Sequence, residues 1–203
     1  MLVTGIKSKP VYAPLRADTG GRYHLMLGMG PGADALLRVL GEMRTDAPQA
    51  LAKTRVLLLP DADAPQAAVP FDHLGLGSVS LFADAPSLLA AYRAVLDESL
   101  MGTRLYVAGP ESFIGLAMKV ALEFDLNKDE VRAEELGTLA RRVYCIHCRS
   151  TAESVRTNIV RCPGCDRWLL VRDHYSRRLA AYMGVMADAE APGELPPLQE
   201  VYL

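Results

Sequence analysis

Apolar residues fall in short runs closed by glycine or proline, and these runs alternate with stretches of helical spacing. Arg22–Leu27 reads as a buried strand, and Gly28-Met29-Gly30-Pro31-Gly32 follows at once. Ala33–Met43 then carries apolar residues at helical intervals. Arg55–Leu59 is the next predicted strand, ended by Pro60-Asp61, and Ser78–Phe82 is another. Between them, residues 62–77 are rich in Pro, Asp and Ala and predict a loop with a short strand. Asp84-Ala85-Pro86 opens a helix through about Ser99, with Asp84 as N-cap and Pro86 just inside. Thr103–Val107 predicts a strand, Glu111–Phe124 a helix, and Lys128–Leu136 a short helix or strand.

Strands that alternate with helices imply a parallel, doubly wound sheet, so the fold class is α/β over residues 1–140. Residues 1–20, with Pro10, Pro14 and Gly20, read as an irregular lead-in. A second domain is expected over residues 141–203. It comprises a small module at 141–172, a C-terminal helix at 173–187 and an extended Pro-rich tail at 191–203. The helix is predicted from Leu179, Tyr182, Met183 and Met186, with Asp173 as its cap and His174 and Tyr175 at its start. The methionines read as core or interface positions.

Charge separates the two parts further. Residues 1–140 hold 13 Lys and Arg against 17 Asp and Glu. Residues 141–178 hold nine arginines (Arg141, Arg142, Arg149, Arg156, Arg161, Arg167, Arg172, Arg177 and Arg178) against Glu153, Asp166 and Asp173. Residues 179–203 hold four acids and no base. The basic island is either a solvated face or a docking face for an acidic partner. No run is long enough to cross a bilayer, and the first residues lack the long apolar segment of a secretory signal, so a cytoplasmic location without membrane contact is expected.

The island contains all four cysteines of the chain. Cys145-Ile-His-Cys148 is followed, thirteen residues later, by Cys162-Pro-Gly-Cys165. Each Cys-x-x-Cys forms a knuckle whose backbone N–H groups turn toward the sulfurs, and two knuckles supply a tetrahedral set. Cys145, Cys148, Cys162 and Cys165 are therefore the expected ligands of one mononuclear ion, with His147 outside the first coordination sphere. Closed four-cysteine sites suit zinc as a structural ion and iron as a one-electron carrier, and the spacing leaves both open. The second knuckle resembles that of rubredoxins, except that Asp166 stands where they usually have glycine.

The turn with Gly28, Gly30 and Gly32 has the form of a pyrophosphate cradle, in which backbone N–H groups at a helix N-terminus meet the anion. Asp34, in the first turn of that helix, would repel a phosphate, and a plain tight turn fits the same pattern. Ser–His–Asp order, paired carboxylates and a nucleophilic cysteine are not recognisable, so no catalytic residue is assigned.

Two resemblances join these signals. The stretch LYVAGPESFIGLAMKVALEFDLNKDEVRAEEL, with the Leu27–Gly32 turn, resembles the pyridine-nucleotide domain of ferredoxin–NADP reductases over roughly residues 22–136. This implies Gly28, Gly30, Gly32, Gly109 and Pro110 as cofactor-binding positions. The chain departs from that family at Ala108, where the reductases carry cysteine, and at Asp61 and Asp63, where an NADP 2′-phosphate would want arginine. The family's flavin barrel is also missing.

The C-terminal run, above all RDHYSRRLAAYMGV, is similar to the DmmA-type small subunits of dimethylamine monooxygenase. That likeness implies a non-catalytic or electron-transfer subunit of a haem-dependent oxidative N-demethylase. Such a system uses NADPH and O2 to convert dimethylamine to methylamine and formaldehyde. The haem would lie on a catalytic partner subunit, and FMN and a [2Fe–2S] cluster on a reductase subunit. The alternative is a free-standing zinc-ribbon protein that binds nucleic acid or a regulatory partner. Trp168 is the only tryptophan and no aromatic ladder is present, which argues against nucleic acid.

Overall fold

The computed structural model of the chain describes residues 8–61 and 70–203. The expectations for Asp63 and for most of the loop after Asp61 lie outside the described residues. The described residues divide into two compact units, Tyr12–Gly137 and a second built from Thr138–Leu203 with residues 8–11.

The first unit is the expected α/β fold. Its parallel strands are β1 (Tyr23–Met29), β2 (Thr54–Leu59), β3 (Ser78–Leu81), β4 (Thr103–Gly109) and β5 (Val131–Glu135), in the order β3-β2-β1-β4-β5. Three helices connect them: α1 (Gly32–Asp46), α2 (Ala85–Asp97) and α3 (Glu111–Glu123). Strand residues alternate between two cores. Met26, Val56, Leu58, Tyr106 and Ala108 pack with Leu36, Val39, Leu40 and Met43 of α1. Leu25, Leu27, Leu57, Leu105 and Val107 pack with Leu88, Tyr92 and Leu96 of α2 and with Phe113, Ile114 and Ala117 of α3. A sheet covered on both faces explains why its central strands read as unbroken apolar runs.

Local signals set the element ends. Asp84 caps α2, its carboxylate accepting the Ser87 N–H at 2.7 Å, as the sequence indicates. The ambiguous stretch Lys128–Leu136 holds both forms, a single 3-10 turn at Lys128–Glu130 and then β5. Of the described residues, no helix is long and apolar enough to cross a membrane.

The second unit is a sheet of β6 (Arg141–Cys145), β7 (Thr151–Val155), β8 (Ile159–Arg161), β9 (Trp168–Ser176) and β10 (Ala181–Met186), in the order β7-β6-β10-β9-β8. Here the expected C-terminal helix is corrected: residues 173–187 run through the end of β9, a turn and β10. The helical spacing of Leu179, Tyr182, Met183 and Met186 is real, but β6 and β9 flank β10 and offer ladder partners on both edges. Tertiary pairing outweighs a short helical period. The turn reverses at Ala180, which takes a φ of 50°. Asp173 is consequently no cap. It lies in β9, and its carboxylate accepts a hydrogen bond from Arg141 at 2.8 Å. Tyr175 is buried edge-on against Tyr182, with ring centroids 5.0 Å apart.

Ser8 and the C-terminal tail are both tied to this unit. Ser8 donates its N–H to the Asp173 carbonyl at 3.0 Å, and its hydroxyl accepts the Tyr175 N–H at 2.8 Å. The tail lies on the unit's own surface: Asn158 and Gln199 exchange hydrogen bonds, and the N–H groups of Val201 and Tyr202 both donate to the Arg156 carbonyl. Tyr202 then closes over Arg141, whose guanidinium sits 3.8 Å from its ring centre and 3.9 Å from that of Tyr182.

Candidate metal centre and nucleotide crevice

The four cysteines come together at the tips of two hairpins. Cys145 ends β6 and Cys148 lies in the turn to β7, while Cys162 follows β8 and Cys165 lies in the turn to β9. The two turns are built alike. Cys145 N–H donates to the Ser150 carbonyl and Arg149 N–H to the Cys145 carbonyl, both at 2.9 Å. In the second turn, Cys162 N–H donates to the Arg167 carbonyl at 2.9 Å and Asp166 N–H to the Cys162 carbonyl at 3.0 Å. The residue after each second cysteine is left-handed, Arg149 at φ 68° and Asp166 at φ 57°. Asp166 thus takes the backbone form for which rubredoxins use glycine, and aspartate is among the side chains that tolerate it.

All four sulfurs lie within 4.8 Å of one another. Cys145 and Cys165 are 3.8 Å apart and Cys148 and Cys162 3.4 Å apart, and all four are free thiols. A disulfide would need about 2.05 Å. Zn–S bonds of about 2.3 Å make a tetrahedron with edges of about 3.8 Å, so the cage fits a four-thiolate ion. His147 is exposed at the first tip and stands outside the sulfur cluster. Gly164 lets the second turn close on the first, because a Cβ there would lie 2.0 Å from Ser150 Oγ.

Each turn also feeds hydrogen bonds to its own sulfurs. The Ser150 hydroxyl and N–H hold the Cys148 thiol down to about 6. The Arg167 N–H and guanidinium lower Cys165. Burial pushes Cys162 up to about 11, although its sulfur accepts the Gly164 N–H at 3.4 Å. Ser150 and Arg167 occupy equivalent places, two residues beyond the second cysteine of their knuckles; the sequence pattern puts Arg167 only in the basic island and singles out no role for Ser150. Equal offset from a Cys-x-x-Cys was the available signal. The cage can hold a thiophilic cation in a shell of N–H, hydroxyl and guanidinium donors that spread thiolate charge.

The other candidate residues sit at the carboxyl ends of β1 and β4, where the strand order reverses and open α/β sheets place their ligands. Gly28 lies in β1, Gly30 in the turn, Gly32 at the start of α1, Gly109 at the end of β4, and Pro110 just before α3. The fold brings all five together. Their glycines have packing roles: a Cβ on Gly32 would stand 2.1 Å from the Ala108 carbonyl oxygen, and one on Gly28 would meet Leu58 and Leu36.

A doubly wound α/β unit and a four-cysteine double-hairpin module with a candidate metal cage define the class. Residues 4–131 and 142–185 match the N- and C-terminal domains of one family, described as dimethylamine monooxygenase subunit DmmA-like. The chain belongs to this family. A curated relative, the heme-dependent oxidative N-demethylase delta subunit of Ectopseudomonas mendocina (strain ymp), is 33% identical over 124 residues, covering 61% of this chain and 69% of the relative. Among solved structures, the ferredoxin reductase in carbazole 1,9a-dioxygenase aligns with a TM-score of 0.48 and 17% identity over 61% of this chain and 40% of that one. Phthalate dioxygenase reductase aligns with a TM-score of 0.47 and 14% identity over 83% of this chain and 66% of that one. The chain spans only 34% of the same carbazole reductase in its FAD apo form.

Proposed function

We propose that this chain is an accessory or electron-transfer subunit of a multi-subunit, NADPH- and O2-dependent dimethylamine monooxygenase. One observation carries the reading: both halves of the chain match the two domains of one monooxygenase-subunit family, in order. The named relative supports it, being itself a subunit of an oxidative N-demethylase. In this reading haem sits on a catalytic partner subunit, and FMN with the [2Fe–2S] cluster on a reductase subunit. This chain contributes one ion held by Cys145, Cys148, Cys162 and Cys165. Zinc there would hold the two hairpins together, and iron would pass single electrons between partner centres.

Co-expression with the haem and reductase subunits tests the assignment. The chain should elute with haem and flavin absorbance at a fixed ratio, and elution of this chain by itself would overturn the reading. Metal analysis with a visible spectrum separates the two ions. Stoichiometric zinc gives a colourless protein and a scaffolding role, and iron gives a thiolate charge-transfer spectrum that dithionite bleaches.

A further inference from the structure

We infer that the nucleotide crevice of the α/β unit is closed by the chain itself, so that this subunit takes no pyridine nucleotide despite its fold. A pyrophosphate at such a crevice needs free backbone N–H groups in the glycine turn. Here three of the N–H groups around the turn are already engaged. Gly30 N–H donates to the Leu59 carbonyl at 2.9 Å, Ala33 N–H to Gly30 at 3.1 Å and Asp34 N–H to Pro31 at 3.2 Å. Pro31 itself has no N–H. Across the crevice Pro110 also lacks one, and the N–H groups of Phe113 and Ile114 both donate to the Pro110 carbonyl at 3.0 Å.

The space between the two lips is bridged as well. Leu136 N–H donates to the Gly109 carbonyl at 2.9 Å, which pins the chain after β5 to the end of β4. Gly137 then lies over both prolines: a Cβ there would be 3.4 Å from Pro31 Cγ and 3.6 Å from Pro110 Cγ. Charge acts in the same direction. Asp61 Oδ1 stands 2.7 Å from where a Gly30 Cβ would be, and Asp34 occupies the first turn of α1. Two carboxylates at a helix N-terminus oppose a diphosphate. Any NADPH used by an assembly containing this chain therefore enters on another subunit.

The test is titration of the isolated full-length chain with NADPH and with NADH, followed by calorimetry and by amide NMR. The expected result is no saturable heat and no shift at the Gly30, Gly32 and Gly109 amides at millimolar nucleotide. Saturable binding with shifts at those amides overturns the inference. A D34N/D61N double variant separates charge from the bridge. It should still show no binding, and binding by that variant would show that Leu136–Gly137 does not close the crevice. Neither result touches co-elution with the haem and reductase subunits, so the proposed function stands or falls separately.

Discussion

The two units answer one structural problem in different ways. The α/β unit buries its strands between helices on both faces, and its tightest point is direct backbone packing of α1 on the end of β4. The second unit has a single five-stranded sheet and no helix among the described residues. Its core is small, and Cys145 and Cys162 are themselves members of it. A domain of this size buries too little apolar surface to stand easily alone, and the usual remedy is a metal. The difference locates the stability of the first unit in packing and sets the expectation that the second depends on an ion in its thiolate cage.

Removing one sulfur should break this contrast most visibly. Cys162→Ser is expected to abolish stoichiometric metal and unfold Thr138–Leu203, while the α/β unit keeps its own melting transition. Metal binding in small cysteine modules supplies about 10–16 kcal/mol near neutral pH, so no residual packing could compensate. Elemental analysis and calorimetry read the result, and a variant that kept both metal and the module's transition would refute the ligand set.

The matching cut in the other unit is Gly32→Ala. The added methyl would meet the Ala108 carbonyl oxygen at 2.1 Å and the Gly109 nitrogen at 2.9 Å, and backbone cannot step aside as a side chain can. Overpacking of this kind costs about 3 kcal/mol. The α/β transition should drop by several degrees with metal content unchanged. Loss of metal in this variant would mean that the two units do not fold independently.

Within the second unit, Arg141→Met tests how much support comes from contacts other than the ion. Arg141 is buried between Tyr182 and Tyr202 and paired with Asp173. Stacking of a guanidinium on aromatic rings is worth about 2 kcal/mol when desolvated, and methionine keeps part of the volume. The expected result is faster proteolysis of the tail around Tyr202, with metal retained. An unchanged cleavage rate would show that the Asn158–Gln199 pairing holds the tail by itself.

Legibility in the sequence followed the same divide. β1, its glycine turn and α1 could be read because local pattern and tertiary role coincide: Met26 and Leu27 are apolar in a strand that is buried on both faces. The sulfur cage could be read because Cys-x-x-Cys spacing is a local geometry. β9 and β10 could not, since Tyr182 and Met183 owe their conformation to partners on β6 and β9. Ser8 on β9, 167 positions away, and Gly137 over Pro31 and Pro110 are likewise contacts that no window of sequence contains. The glycines at 28, 30 and 32 fit a cradle and a plain tight turn alike, because residue types do not reveal which carbonyls take the amides of the turn.

The smallest expected effect concerns acid and belongs to the α/β unit alone. His24 lies in β1, 2% exposed, with Nδ1 3.3 Å from the Tyr106 hydroxyl. Burial lowers its affinity for a proton, the Arg104 charge adds to this, and Asp18 and the Gly21 backbone oppose it only in part. Asp18 stays ionised nearby: burial works against that, but hydrogen bonds from Arg132, Gly20 and Arg104 keep its carboxyl below the ordinary range. In the folded chain His24 therefore stays neutral where the unfolded chain takes up a proton. The sign follows: stability is level above the unfolded value of about 6.5 and falls as pH drops below it, toward the depressed folded value. One group can contribute at most about 1.4 kcal/mol per pH unit. Urea unfolding of the α/β transition between pH 5 and pH 7.5 should show this slope in the parent and lose it in His24→Gln. Parallel curves for the two proteins would mean that the ring binds a proton equally well folded and unfolded, with Asp18 fully offsetting burial, and a parent stabilised by acid relative to His24→Gln would mean that the ion pair outweighs burial.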